Sequence, residues 1–149
     1  MNIKMPLMSK LGVIFLSWRR YVQKDLVPHK ITLKQQYVLN QLNKKDFLYP
    51  SQIADMLFCD RPTATVVIKN MERDGWVKRE KDIENGKQIK VYITDKGREK
   101  LVLLKDSVKP ATDSGFNPLK CLTEEETKQL DSILSKMMAY IKADGEKYL

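Results

Sequence analysis

Residues 60–76 read DRPTATVVIKNMERDGW, and this stretch carries both the start and the stop signals of a helix. Asp60 is a residue type that caps helix N-termini, and Pro62 fits the first turn because no N–H donor is needed there. Gly75 suits the end of a helix. Helical spacing of about 100° per residue places a set of apolar side chains on one face, which we predict to be core: Ala64, Val67, Ile68 and Met71.

The opposite face of this predicted helix carries hydroxyls, an amide and cations but no acid. Its members are Pro62, Thr63, Thr65, Val66, Lys69, Asn70 and Arg73. A helix face that is merely solvated usually mixes glutamate with lysine. The composition therefore favours a face that contacts a partner, with plain solvation as the alternative.

After Gly75 the residue pattern changes from a helical to an alternating period. Residues 76–80 (WVKRE) and 88–93 (QIKVYI) are typical of strands. Asn85 and Gly86 lie between them, and Asn-Gly between two strand patterns is a strong signal for a hairpin. We therefore predict a two-stranded hairpin directly after the helix.

Three helices are predicted before the opening stretch. The first spans about 7–26 and ends before Pro28, the second opens at Thr32 with a capping box to Gln35, and the third starts at Pro50. Each shows apolar residues at helical spacing. Three short helices followed by a hairpin are typical of a winged helix-turn-helix.

The residues after the hairpin predict two further helices. Thr94 caps the first, which ends at Pro110, and residues 111–121 are predicted to form a loop. Thr123 and Glu126 form a second capping box, which opens a long last helix.

This order of elements predicts a mainly α (α+β) fold in a single domain, 1–149. The winged helix-turn-helix with its two-stranded wing covers residues 32–100, and residues 1–30 and 101–149 supply flanking helices. The apolar stripes of those helices are too extended for one chain of this size to cover. We therefore predict that they are dimerisation helices, which pair with a second copy of the chain.

The positive charge is concentrated in the first two-thirds of the chain. Residues 1–60 carry nine Lys/Arg against four acids, residues 61–100 carry eleven against seven, and residues 101–149 carry seven against eight, which gives the net charge of +8. Such a balance indicates that polyanions are suitable partners.

Several classes of function lack the residues that they need. One histidine, His29, excludes most histidine-based catalytic constellations, and no phosphate-binding glycine loop is present, so we predict no enzyme and no cofactor. Cys59 and Cys121 with that histidine do not form a zinc pattern, so no metal site is expected. We expect a cytoplasmic protein with reduced thiols, a redox switch being the alternative.

In this order and spacing, three runs resemble the MarR family of bacterial and archaeal transcription regulators: SQIADML at 51–57, RPTATVVIKNMERDGWVKR at 61–79 and VYITDKGREKL at 91–101. The resemblance implies a homodimer that binds a pseudo-palindromic operator in double-stranded DNA, with the fourth helix in a major groove and half-sites ~10 bp or a multiple of it apart. It also implies a response to a small aromatic or phenolic effector, and we expect a repressor.

The chain departs from the family pattern in the wing. The family often carries an acid and an arginine that brace each other there, whereas this chain has Asp82 followed by Asn85-Gly86-Lys87. Lys87 can neutralise a phosphate but lacks the planar fork of arginine. The chain also has no cysteine near the start of the first helix, so peroxide sensing through one cysteine is not expected.

The predicted sites follow from these patterns and from the resemblance. The DNA-binding side chains are expected to be Pro62, Thr63, Thr65, Val66, Lys69, Asn70, Arg73, Arg79, Lys81, Lys87, Gln88 and Lys90. The resemblance places an effector pocket near four side chains for which core packing is the alternative: Trp18, Tyr21, His29 and Tyr37. The alternative function is a winged-helix module that docks another protein without sequence-specific DNA binding.

Overall fold

The computed structural model describes residues 4–107 and 116–144. Within these ranges the helices are α1 (Leu7–Leu26), α2 (Leu33–Asn43), α3 (Pro50–Leu57), α4 (Arg61–Arg73), α5 (Asp95–Ser107) and α6 (Glu124–Asp144). Strands β1 (Val77–Lys81) and β2 (Ile89–Ile93) lie between α4 and α5. Short 3₁₀ helices occur at Val27–His29 and Pro118–Cys121.

The caps that the sequence predicts are present, which explains why most element boundaries agree with the prediction. The Asp60 carboxylate accepts a hydrogen bond from the Thr63 N–H at 2.7 Å and starts α4. Gly75 ends that helix with φ of +79°, a left-handed conformation that favours glycine. The capping boxes of Thr32 and Thr123 both form.

Some details of the predicted boundaries are wrong. The strands are shifted by one residue at their starts, since β1 begins at Val77 and β2 at Ile89. Part of the predicted loop over residues 111–121 forms the 3₁₀ helix Pro118–Cys121, where the Asn117 side chain accepts a hydrogen bond from the Leu119 N–H. Pro110, the predicted end of α5, lies outside the described residues.

The core lies inside the winged-helix region. The inner face of α4 is buried as predicted at Ala64, Ile68 and Met71, while Val67 is half-buried against the same cluster. It meets buried side chains from α2, α3 and β2, and Trp76 and Val77 extend the core to the start of the wing. Close packing of this kind fixes the position and orientation of α4 on the winged-helix core.

The wing is an antiparallel hairpin in which Val77 pairs with Ile93 and Lys81 with Ile89. Leu48, in the connection between α2 and α3, exchanges two backbone hydrogen bonds with Val91 at 2.9 and 3.0 Å. This bridge adds a third, one-residue strand to the sheet. The wing is therefore attached to the helix-turn-helix through its backbone.

The hairpin is confirmed, but its connection is longer than a tight Asn-Gly turn. The Asp82 N–H donates to the Gln88 carbonyl at 2.9 Å, and the Gln88 N–H donates to the Asn85 carbonyl at 2.9 Å. Gly86 does not adopt the positive φ that a two-residue Asn-Gly turn requires. The connection thus comprises residues 82–88.

The flanking helices α1 and α6 expose most of their apolar side chains. In α1 the only buried residue is Leu26, and Leu7, Ile14 and Phe15 are about half exposed or more. Ile133 and Met138 of α6 are similarly exposed. Among residues 4–107 and 116–144, no helix is long and apolar enough to span a membrane.

Candidate nucleic-acid interface

The α4 side chains that are predicted to contact DNA lie on the outer face of this helix. Pro62, Thr63 and Lys69 are exposed, and Thr65 and Asn70 are half-buried. Val66 is 57% exposed and, with Pro62, gives this mainly polar face an apolar part. The face therefore offers hydroxyl, amide, methyl and cationic groups along one helix.

The first turn of α4 is held by hydrogen bonds within the chain. Hydrogen bonding from Thr63 lowers the pKa of Asp60, so this cap stays charged. The Thr65 hydroxyl donates to the Arg61 carbonyl at 2.9 Å, which leaves its oxygen free to accept. Arg61 itself is exposed at this turn and is absent from the predicted site, because the helical face was chosen without it.

Arg79 of β1 forms a bidentate ion pair with Glu72 of α4. Its Nε and Nη2 lie 3.0 Å from the two carboxylate oxygens. This hydrogen bonding lowers the pKa of Glu72 and raises that of Arg79, as expected for a charge-assisted pair. The pair joins α4 to the wing and means that Arg79 is not a free cation. The pair leaves no signal in the sequence because its partners lie on different elements.

The buried carboxylate of Asp82 organises the base of the wing. It accepts hydrogen bonds from the Tyr49 hydroxyl at 2.9 Å and from the Glu84 N–H at 3.0 Å. The Lys90 ammonium lies 3.7 Å from the same carboxylate and 4.4 Å from the centre of the Phe47 ring. Tyr49 and Lys90 therefore hold the acid for which the family resemblance implies an arginine.

Protonation at this cluster follows its hydrogen bonds. The bond from Tyr49 is the main reason why the pKa of Asp82 is lowered, and the same bond raises the pKa of Tyr49. The carboxylate is thus ionised at neutral pH, where it attracts Lys90.

Three of the predicted wing contacts remain exposed at the end of the hairpin: Lys81, Lys87 and Gln88.

The four side chains predicted to line one effector pocket lie apart. Tyr21 packs against Phe116 with ring centres 6.0 Å apart, and Trp18 packs against Phe15 at the same distance. His29 borders a separate small pocket. These four side chains therefore do not line a common cavity in the described part of the chain.

Tyr37 alone of the four borders a pocket of about 630 Å³. This cavity lies at the corner between α3 and α4 and is bordered on one side by the end of α6, with Phe58, Cys59 and Ile141 among its lining residues. Burial raises the pKa of the half-buried Cys59 thiol. A thiol with a raised pKa is less nucleophilic at neutral pH.

Comparison with known proteins shows which regulators this chain resembles. The model of the MarR family matches residues 31–89. The HTH-type transcriptional regulator TtmR of Methylorubrum extorquens (strain PA1) is 36% identical over 73 residues, which are 49% of this chain but only 37% of TtmR. The HTH-type transcriptional regulator YybA of Bacillus subtilis (strain 168) is 29% identical over 126 residues, 83% of this chain and 78% of YybA.

A solved structure shares the fold. The S. aureus MepR–DNA complex superposes with a TM-score of 0.79 at 21% identity, covering 92% of this chain and 99% of MepR. The predicted fold class, a mainly α winged helix-turn-helix, is therefore confirmed. The family match over residues 31–89 and the aligned regulators show that this chain is similar to the MarR family of transcriptional regulators.

Proposed function

We propose that the protein is a homodimeric, sequence-specific DNA-binding repressor of the cytoplasm, released from its operator by a small aromatic effector. The observation that carries this proposal is the outer face of α4, which is exposed along the helix and adjoins the wing. Residues 32–100 act as the DNA-binding region, and residues 1–30 and 101–149 act in dimerisation.

The face of α4 has the chemistry that a major groove requires. Hydroxyl and amide groups of Thr63, Thr65 and Asn70 are suited to base edges and phosphates, and the exposed Val66 to a thymine methyl. Lys69 and Arg73 supply charge for the backbone. MepR, which shares this fold, has been solved as a complex with DNA, and this supports the assignment.

The wing contributes phosphate contacts from the exposed end of its hairpin. Lys81, Lys87 and Gln88 are free to make them. Lys90 is held between Asp82 and Phe47, so its expected part is to brace the wing. Arg79 is shared between Glu72 and DNA, since a phosphate near the ion pair competes for the same guanidinium.

The decisive experiment is a selection of duplexes from a random pool, followed by binding measurements on the enriched sequence. We expect a pseudo-palindrome whose half-sites lie about 10 bp or a multiple of it apart. The double variant Lys69→Ala/Arg73→Ala should bind it roughly tenfold or more weakly. The control Lys105→Ala/Lys136→Ala removes the same charge from other exposed positions and should bind normally.

Failure to enrich any palindrome, with a folded dimer at physiological salt, would refute sequence-specific regulation. The second candidate function is then favoured, a module that docks another protein. Its support is the exposure of Val66 beside Pro62, which together form an apolar contact.

The effector site is proposed at the cavity bordered by Tyr37. Its volume suits a small molecule, and its position at the corner between α3 and α4 couples it to the recognition helix. Salicylate-like compounds should raise the Tm and weaken operator binding. A Phe58→Ala variant should lose both effects, whereas Tyr21→Phe, away from this cavity, should keep them. A phenolic panel without effect on wild type would count against this site.

A further inference from the structure

A second pocket, about 380 Å³ in volume, lies where the 3₁₀ helix after α1, the end of α4 and the start of α5 meet. Four cations from three separate segments line it: Lys30, Arg73, Lys96 and Lys100. The only acid in its lining is Asp74, whose carboxylate lies 3.6 Å from the Arg73 Nε. The lining therefore carries three positive charges in excess.

The three lysines of this pocket have no carboxylate partner among the residues that the structure describes. Within residues 4–107 and 116–144, no carboxylate lies within ion-pair distance of Lys30, Lys96 or Lys100. Like charges gathered in one concavity repel each other. A bound anion would relieve that repulsion.

The pocket also contains side chains that contacts within the chain hold in position. Its floor is Trp76, which is only 6% exposed. The Lys100 ammonium lies 5.3 Å from the centre of the Trp76 ring and donates a hydrogen bond to the His29 carbonyl, so it is fixed in place. Lys96 packs over Gly75, where a Cβ would lie 3.2 Å from its Cδ. Two of the cations are thus positioned before any ligand arrives.

We propose that this pocket binds a phosphate-type oxyanion, held by Lys30, Lys96 and Lys100 over the Trp76 ring. Lysine is a point-charge phosphate binder, and three ammonium groups supply up to nine N–H donors, of which one is used by His29. None of these lysines belongs to the outer face of α4, so the site is additional to that face. A free anion and a phosphate of the DNA backbone share this chemistry.

The first arm of the test uses free anions and no DNA. A Trp18→Phe background leaves Trp76 as the sole tryptophan. Inorganic phosphate or pyrophosphate, titrated at constant ionic strength against sodium chloride, should change its fluorescence saturably. Calorimetry on the unsubstituted protein should give the same affinity, which makes the result independent of the Trp18 substitution.

Paired variants separate this pocket from general charge. Lys30→Gln/Lys96→Gln should bind phosphate roughly tenfold more weakly, because it removes two charge-assisted contacts and leaves Lys100 on the ring. Lys105→Gln/Lys136→Gln removes the same charge from exposed positions outside the pocket and should bind as the parent does.

The second arm rests on the proposed function and identifies the source of the anion. If the occupant is a DNA phosphate, the Lys30→Gln/Lys96→Gln variant should lower the salt slope of duplex binding by about two, and the control variant should not. If the protein binds no duplex, the proposed function fails and the phosphate titration alone decides. The pocket is not an anion site if phosphate acts no differently from chloride and the salt slope is unchanged.

Discussion

Asp82 is buried at the base of the wing, and its charge must be compensated by neighbouring groups because a buried charge is costly. Its carboxylate is compensated by Tyr49, by a backbone N–H and by Lys90. This set of partners comes from the α2–α3 connection, the hairpin loop and β2. One side chain thereby fixes where the wing leaves the helix-turn-helix.

The lowered pKa of Asp82 predicts a defined dependence of stability on pH. Because the folded pKa lies below the unfolded one, about 4, the ionised form contributes fully above that value, and the contribution is lost as the pH falls through the folded pKa. Free energies of unfolding should therefore differ between wild type and Asp82→Asn at neutral pH and converge in acid. Asp95→Asn, at an exposed position, should follow wild type throughout. A constant difference at all pH values would contradict this account.

At Gly97 an added side chain would clash with the backbone. A Cβ at this position would lie 2.3 Å from the Trp76 carbonyl oxygen, a contact that backbone cannot relieve easily. Gly97→Ala should destabilise the fold by about 1–3 kcal/mol in denaturant unfolding. Gly86→Ala has nothing within 4 Å of its Cβ and serves as the matched control, expected within about 0.5 kcal/mol of wild type. Equal stability of the two variants would show that the start of α5 can shift.

At the scale of elements, the ion pair between Glu72 and Arg79 couples α4 to β1. The two elements that are proposed to contact DNA therefore share a cation. The acid holds that cation in place and also competes with phosphate for it.

Glu72→Gln is expected to strengthen operator binding and not weaken it. Removing the competing charge frees Arg79, so the salt slope of duplex binding should become steeper by about one. Fluorescence anisotropy across a salt series measures this change. Glu99→Gln, an exposed position on α5, makes the same change of net charge and should leave the slope as it is. Weaker binding by Glu72→Gln would mean that the acid mainly orients the arginine.

Elements were predictable from sequence where their causes are local. The caps at Thr32, Asp60 and Thr123 act within three residues, and the apolar stripes follow helical spacing. Contacts between elements left no such signal. The Leu48 bridge joins residues far apart in the chain, as does the bond of Tyr49 to Asp82.

The same reasoning explains which site residues could be predicted. The outer face of α4 follows from helical geometry, so its position was correct even though its DNA contacts remain a prediction. The acids that pair with Arg79 and Lys90 lie outside the strands that carry these cations, so the strand pattern alone predicts both as free cations. The four residues predicted for an effector pocket lie apart in the described part of the chain, and nothing in their sequence spacing fixes how α1 packs on α2.

At the scale of the whole molecule, the apolar faces of α1 and α6 remain uncovered in one chain. Exposed apolar patches of this extent mark interaction surfaces, and two symmetric copies would cover both. Paired recognition helices are what a pseudo-palindromic operator requires.

Ile133→Glu should convert the protein to a monomer at micromolar concentration, because it places a charge in the proposed interface. Val66→Glu is a closely matched control, since both side chains are 57% exposed. Sedimentation velocity should show the control as a dimer and the Ile133 variant at half its mass. If both variants remain dimeric, the pairing surface lies elsewhere than on this face of α6.

The backbone bridge between Leu48 and Val91 has a consequence for how the protein unfolds. It links the α2–α3 connection to β2 with two hydrogen bonds, so the hairpin cannot open locally without breaking the sheet at the core. Amide hydrogens of these two residues should therefore exchange with solvent only in the global opening of the winged region. Intermediates with a helix-turn-helix but no wing would not accumulate, and cellular proteases would encounter either the intact winged-helix region or an unfolded chain.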